Sequence, residues 1–451
     1  MNIVVIIADA LRLDSVFGTD PAMPRLQARL RTWDTMSQYF SAAPWTLPAC
    51  TSLFTGRDAS VHEHFSHPHS LRHPTLTARF GDERIKAAFV NNRALAPNSG
   101  LFANFDEYEL VDGHAETFAR AHRFLDERAA DPRAYLLVLH SNLVHDYYLA
   151  STQAHYAQRY PDRADWFELG TRVIRWEGLD AGQRETVRRS YAACAAALDV
   201  ELERVFDRFD DETLILFVSD HGEGLEPEHE RVHHGGRVHD DLLRVPCSFR
   251  LPRSAPAVAV AAIGRARTQP VTTADLFPTL LGVAGLDVPD DIEGRDLSLP
   301  DAGSSTTKLR AADDRYLYVR GRYRLNLNSR GKNMLGTVRQ VNNVLRATVA
   351  HRFRVRTEIA YPYKLVVTDF EARNRALAWV GRRALPSIHI GTPAVVTRDR
   401  TWRGLECFDL EADPAERRNL LVRNECPDAA RALAAPYRDF AEPADPASPP
   451  D

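Results

Sequence analysis

Ile3-Val4-Val5-Ile6-Ile7 opens the chain as an unbroken apolar, β-branched run that ends on Asp9. Such a run leaves no face for water, so it predicts a strand buried on both sides of a parallel sheet. Ala87 to Val90, Tyr135 to Leu139 and Leu214 to Val218 read the same way. Between the last two, Asp180 to Phe209 carries Val187, Tyr191, Cys194, Leu198, Leu202, Val205 and Phe209 at three- and four-residue steps, the spacing of a helix. Strands alternating with helices predict an α/β sheet covered by helices on both faces.

Ligands of such sheets sit beyond the carboxyl ends of the strands. Asp9 and Asp220 occupy that position, and His140 and His145 closely follow the Tyr135 to Leu139 strand. Three strand ends therefore converge on one edge. Taken alone, Asp9 reads as a helix cap or as a metal ligand. The adjacent Asp220 and His221 offer a hard oxygen and an imidazole to one cation.

The chain has 451 residues, more than one core of roughly 250 to 300 residues holds. We therefore expect a catalytic domain over 1–297 and a smaller subdomain over 298–440. The break falls near the linker-like Leu299 to Ser305, and alternating stretches follow at Tyr316 to Val319 and Tyr363 to Val367. The proline-rich 441–451 reads as a disordered tail. A net charge of -4 with no basic run excludes nucleic acid as a bulk partner. Five cysteines without paired spacing read as free thiols. The apolar opening stops short of a membrane span and lacks the flanks of a signal peptide, so a cytoplasmic protein is expected. A homo-oligomer is compatible with this reading.

Pro44 to Arg57 places small hydroxylated residues at the start of an expected helix. Thr46 is open to two compatible readings: an N-cap, with Pro48 in the first turn, or a hydroxyl that dipole and metal convert to a nucleophile. His62, His64, His67, His69 and His73 form a dense run just beyond. It reads as an exposed loop near the site mouth. Cys50 reads as a small buried thiol.

Thr46, Pro48, Thr55, Gly56 and Arg57 match the frame of the sulfatase signature, in which a Cys or Ser nucleophile precedes Pro by two residues and a Thr-Gly-Arg closes the motif. Ile7 to Asp14 and Val218 to Glu223 resemble the two metal-binding strand ends of the same family. Asp275 to Leu281 with Gly285, Pro289 and Gly294, Arg244-Val245-Pro246, and Glu406 to Glu416 with Asn419-Leu420 extend the match over most of the chain. The chain thus resembles the sulfatase and alkaline phosphatase superfamily. The resemblance implies a mixed, mainly parallel sheet sandwiched by helices, with a smaller C-terminal antiparallel α+β subdomain.

It also implies a metal set of Asp9, Thr46, Asp220 and His221, with Thr46 at the nucleophile position. His145 and His234 resemble the substrate-contacting histidines, as proton donors to a leaving group or as ligands of a second ion. His233 and Asn92 are further candidate substrate contacts. Two departures carry weight. Threonine cannot become formylglycine, whose hydrate expels sulfate by elimination, and Ala10 replaces an acidic metal ligand. The set then looks like that of the threonine-nucleophile branch. A histidine ligand shifts the preferred divalent cation toward manganese or zinc, with calcium or magnesium as alternatives; one ion is expected, with two as the alternative.

The function expected is metal-dependent hydrolysis of phosphate or phosphonate mono- and diesters, small anionic substrates, through a covalent Thr46 intermediate. The rival readings are a sulfatase without formylglycine, a soluble phosphoryl transferase, and a metal-free pseudoenzyme that only binds.

Overall fold

The first strand, β1 (Ile3–Ala8), lies wholly buried at the centre of a 7-stranded sheet. The computed structural model describes residues 1–65, 71–170, 178–225, 232–235, 238–300, 309–318, 350–360, 363–372 and 401–413, with Glu416, Leu420, Pro427 and Asp428. In chain order the other strands of this half are β2 (Asp34–Thr35), β3 (Gln38–Phe40), β4 (Ile85–Val90), β5 (Glu107–Leu110), β6 (Tyr135–Ser141), β7 (Leu214–Ser219), β8 (Cys247–Arg250) and β9 (Pro270–Thr272). The sheet runs β2-β8-β7-β1-β6-β4-β5, while β3 and β9 form a separate parallel pair. Pairing is parallel from β7 to β5 and antiparallel at β8 and β2. This is the expected mixed, mainly parallel sheet.

Alternate residues of β1 feed two cores. Val4, Ile6 and Ala8 face the helices His114–Arg128 and Ala181–Phe206, through Phe118, Phe124, Tyr191 and Leu198. Ile3, Val5 and Ile7 face the helices Thr46–Thr55 and Leu276–Val283, through Leu47, Phe54, Phe277 and Leu280. With about 1.5 to 3 kcal/mol for each large side chain buried, this double coverage explains the unbroken apolar run. Helix Ala181–Phe206 begins at a capping box, Asp180 with Gln183, and ends three residues before Phe209, which stays buried beyond it. The strands expected from Ala87 and to Leu139 start two residues earlier and end two residues later. His140 therefore lies inside β6 and not after it.

The register places the site. Ala8 pairs with Ser141 on one side and Ser219 on the other, so β1, β6 and β7 end flush. Val90 of β4 pairs with His140, one step earlier. The residues just beyond, Asp220, Asp9, Asn142 and Asn92, consequently form a row along one edge.

The sequence motifs around Asp275 and Gly294 brace this edge from below. Asp275 accepts from Thr272 N at 3.0 Å and Arg295 N at 2.7 Å, and pairs with the Arg295 guanidinium at 2.7 Å. Gly294 donates to Gly56 O at 2.8 Å, and a Cβ there would sit 1.9 Å from Ala274 O. Gly56, at φ 66°, closes the Thr46–Thr55 helix in the left-handed conformation glycine tolerates.

Beyond residue 300, β10 (Leu309–Tyr318), β11 (Ala350–Ala360), β12 (Tyr363–Ala372) and β13 (Thr401–Asp409) form a 4-stranded antiparallel sheet in sequence order. The alternating stretches at Tyr316 and Tyr363 lie in β10 and β12. Ala312 donates to Ala42 O at 3.0 Å and packs among Ala42, Ala43, Ala49 and Phe65, while Asp240 N donates to Glu416 Oε2 at 2.6 Å. The tail 441–451 and most of the expected linker lie outside the described residues, and the domain limits at 297 and 440 stay a proposal. Cys50, Cys194 and Cys247 are buried free thiols, Cys407 is buried, and Cys426 lies outside the described residues. Among the described residues no helix is long and apolar enough to cross a membrane.

Candidate active site

Asp9 and Asp220 are fully or almost fully buried at the ends of β1 and β7. Ala10 turns the chain at φ 58°, a conformation that costs a non-glycine residue about 1 kcal/mol. That turn lets its N–H reach Asp220 Oδ1 at 3.2 Å, and His221 N donates to the same oxygen at 2.9 Å. Asp220 Oδ2 receives no donor, and neither does Asp9 Oδ1. His221 Nδ1 lies 2.8 Å from Gly222 O, which can only accept, so Nε2 is the nitrogen turned to the carboxylates. It stands 3.2 Å from Asp9 Oδ1 and 3.7 Å from Asp220 Oδ2. Gly222 must be glycine here, since a Cβ would meet Asp241 O at 2.0 Å.

Thr46 is the first residue of its helix, and the N-cap is Trp45, in extended conformation. The capping reading of Thr46 is therefore corrected. Its hydroxyl is committed elsewhere, 3.2 Å from Asp9 Oδ2 and 3.3 Å from His221 Nε2. Asn92 Nδ2 donates to Asp9 Oδ2 at 2.5 Å and lies 3.2 Å from Thr46 Oγ1 and 3.0 Å from Asn142 Oδ1. Its own Oδ1 caps the turn that follows, accepting from Ala94 N at 2.8 Å.

These residues fit a divalent cation. Asp9, Asp220 and His221 bring one ligand atom each within 4.8 Å of one another. Two buried carboxylate oxygens without donors cost several kcal/mol apiece, and one cation among them and an imidazole satisfies all three. The electrostatics agree. Burial alone would raise Asp9, yet the charge of His145, the close approach of His221 and the charges of His221 and His140 hold its carboxyl well below the usual range. Burial disfavours a charged His221, but Asp220 and Asp9 outweigh it and raise its pKa to about 9. The pocket calls for positive charge.

His234 and His145 continue outward from His221. The His221 and His234 ring centroids are 4.3 Å apart, and those of His234 and His145 4.9 Å. Glu223, fully buried, lies with Oε2 3.1 Å from His234 Nδ1, while its Oε1 accepts from Gly224 N at 2.8 Å. Burial pushes the Glu223 carboxyl up, against the pull of His233, His145 and His221. His145 Nδ1 is 2.9 Å from Asp146 Oδ1. Burial opposes its charge, but Asp9, Asp146 and Glu223 prevail and lift it to about 9.

His233 stands apart from this line. At φ 80° its ring meets Tyr148 edge-on at 4.6 Å, and its charge pulls on Glu223. The histidine run after the helix is not an exposed loop at His62 and His64. Both are buried, with His62 Nε2 3.0 Å from Ser52 Oγ and His64 Nδ1 3.0 Å from Thr51 Oγ1. They satisfy hydroxyls of the Thr46–Thr55 helix. His67 and His69 lie outside the described residues.

Sequence reasoning placed His140 near a strand end without a chemical role, met Glu223 only as the last residue of the Val218 to Glu223 resemblance, and gave no role to Asn142. His140 is fully buried, with Nε2 3.5 Å from Asp9 Oδ2 and 3.9 Å from Asp220 Oδ2. Cys50 is buried as expected, and burial beside Asp220 and Asp9 pushes its thiol well above the usual value.

The sulfatase family model matches residues 1–286, more than half of the chain and the whole of the edge just described. The chain belongs to the sulfatase family. An ulvan-active sulfatase of Formosa agariphila is 30% identical over 125 residues, 27% of this chain and 23% of that protein. The steryl-sulfatase of Mus musculus is 35% identical over 126 residues, 24% of this chain and 19% of that one. The matched region thus spans less than a quarter of these relatives. The phosphonate monoester hydrolase of Agrobacterium radiobacter superposes over 97% of this chain and 95% of its own, with a TM-score of 0.60 at 16% identity. That likeness establishes the alkaline-phosphatase-like fold of this sulfatase family member.

Proposed function

We propose that this sulfatase family member is a metal-dependent hydrolase of phosphate or phosphonate mono- and diesters that works through a covalent Thr46 ester. The observation that carries the reading is the Thr46 hydroxyl, at a helix N-terminus and within 3.3 Å of both Asp9 and His221. Asp9, Asp220 and His221 would hold the cation, with manganese or zinc preferred over calcium or magnesium. When bound it lowers the pKa of the hydroxyl and offsets charge on the ester oxygens.

Thr46 Oγ then attacks phosphorus in line, forming the P–O(Thr) bond as the bond to the leaving oxygen breaks. Asn92 orients Thr46 and Asp9 together. His145 or His234 gives the departing oxygen its proton, and His145, charged below about 9, is equipped for this at neutral pH. Glu223 holds the His234 ring in place. Water hydrolyses the Thr46 ester and returns the hydroxyl. The family's metal dependence and the phosphonate monoester hydrolase among its structural neighbours support this order of events. The buried free thiols support a reducing, cytoplasmic setting.

A threonine ester lacks formylglycine's elimination route, which is why phosphoryl and phosphonyl esters rank above sulfate. The curated relatives named sulfatases favour sulfate as the second reading. Assaying 4-nitrophenyl phosphate, bis(4-nitrophenyl) phosphate, a 4-nitrophenyl phosphonate and 4-nitrophenyl sulfate separates the two. We expect phosphorus esters to turn over fastest; faster turnover of sulfate would overturn the preference, and none of any would overturn the enzyme.

A further inference from the structure

Cys50, one turn along the helix from Thr46, brings its sulfur together with His140 and Asp220, with one ligand atom of each lying within 4.8 Å of the others. All three side chains are buried, and His140 is completely so. Neither nitrogen of the His140 ring has a hydrogen-bond partner, although an imidazole always carries at least one N–H to place. An apolar side chain would fill this part of β6 without that cost, which is about 1 to 3 kcal/mol for each stranded polar group. The open oxygen Asp220 Oδ2 lies 3.9 Å from His140 Nε2 and 3.7 Å from His221 Nε2, so it stands between two imidazoles. Asp9 is shared likewise, with Oδ1 3.2 Å from His221 Nε2 and Oδ2 3.5 Å from His140 Nε2.

We propose that Cys50, His140 and Asp220 form a second, thiolate-containing cation site beneath the nucleophile, joined to the first by Asp220. Thiolate, imidazole and carboxylate together suit zinc or another borderline-soft divalent ion rather than calcium or magnesium. Coordination takes place as the thiolate, and the thiol proton leaves to solvent. Two ions that share a carboxylate next to Thr46 would place more positive charge at the hydroxyl than one alone. The inference rests on the reading of Asp220 as a ligand of the first cation.

The test is titration of the chelated, metal-free full chain with cobalt(II), followed by absorption and by metal content after desalting. Two equivalents per chain with a cysteine-to-cobalt charge-transfer band in the near ultraviolet are expected. Cys50→Ser and His140→Ala should each lose the band and one equivalent, while Asp9→Asn should keep the band. The wild-type band is informative even where a variant fails to fold. A single equivalent, or two without the band, would overturn this inference and leave the first site standing. No bound cobalt at all would overturn both readings.

Discussion

His145 is raised to about 9 by Asp9, Asp146 and Glu223 against burial, and it is the clearest handle on single-residue chemistry. If it protonates the leaving oxygen, kcat falls as pH rises through its pKa, which a cation offsetting Asp9 would bring below about 9. We expect His145→Gln to lower kcat by about 100-fold for a substrate with a poor leaving group and to remove that alkaline limb. For a good leaving group such as 4-nitrophenolate, the loss should shrink. Steady-state pH profiles of both proteins on the two substrates check this. At the same scale, the sequence makes Asp9, Asp220 and His221 legible because each follows an apolar run that a polar residue abruptly stops. His140 was legible only as a residue near a strand end, since its approach to Asp9 and Asp220 depends on the register of neighbouring strands. Asn92 and Asn142 meet only through register, which lies beyond any single segment.

The Thr46–Thr55 helix is the element on which the site depends, and it is held at both ends. Gly294 touches Gly56 at its C-terminus, where a side chain would collide with Ala274 O. Gly294→Ala should cost about 3 kcal/mol in unfolding free energy, read from urea midpoints. The near-full burial of His62 against Ser52 adds a pH term. Burial, followed by the charge of His64, lowers its pKa from 6.5 to about 3, against the pull of a Pro48 backbone contact. Between those values the unfolded chain binds the proton and the folded one does not. Stability therefore falls as pH drops from about 6.5 toward 3, by up to about 1.4 kcal/mol per pH unit. His62→Gln, which keeps an amide for Ser52, should flatten that dependence between pH 7 and 5. The helix itself was readable from Pro48 and Gly56. Its histidine neighbours were misread because composition suggests solvent and does not reveal the buried hydroxyls of Thr51 and Ser52.

For the molecule as a whole, the central strands follow from continuous apolar patterns, and β10 and β12 from alternating ones. The short strands β2, β5 and β8 do not, since two to four residues carry too little periodicity to be read. Flush strand ends gather the buried carboxylates and histidines into one pocket that a cation would fit. Chelation should consequently lower the thermal midpoint by several degrees, corresponding to about 2.7 kcal/mol for a cation at a hundred times its Kd, and readdition of manganese or zinc should restore it. An unchanged midpoint would count against a resident ion. In the proposed mechanism Thr46 carries the ester between two half-reactions. Acid quenching during turnover of a phosphorus ester, followed by peptide mass mapping, checks for that intermediate. A phosphoryl or phosphonyl group on the peptide containing Thr46, absent in an inactive Thr46→Ala, is the expected result. Undiminished turnover by Thr46→Ala would contradict it.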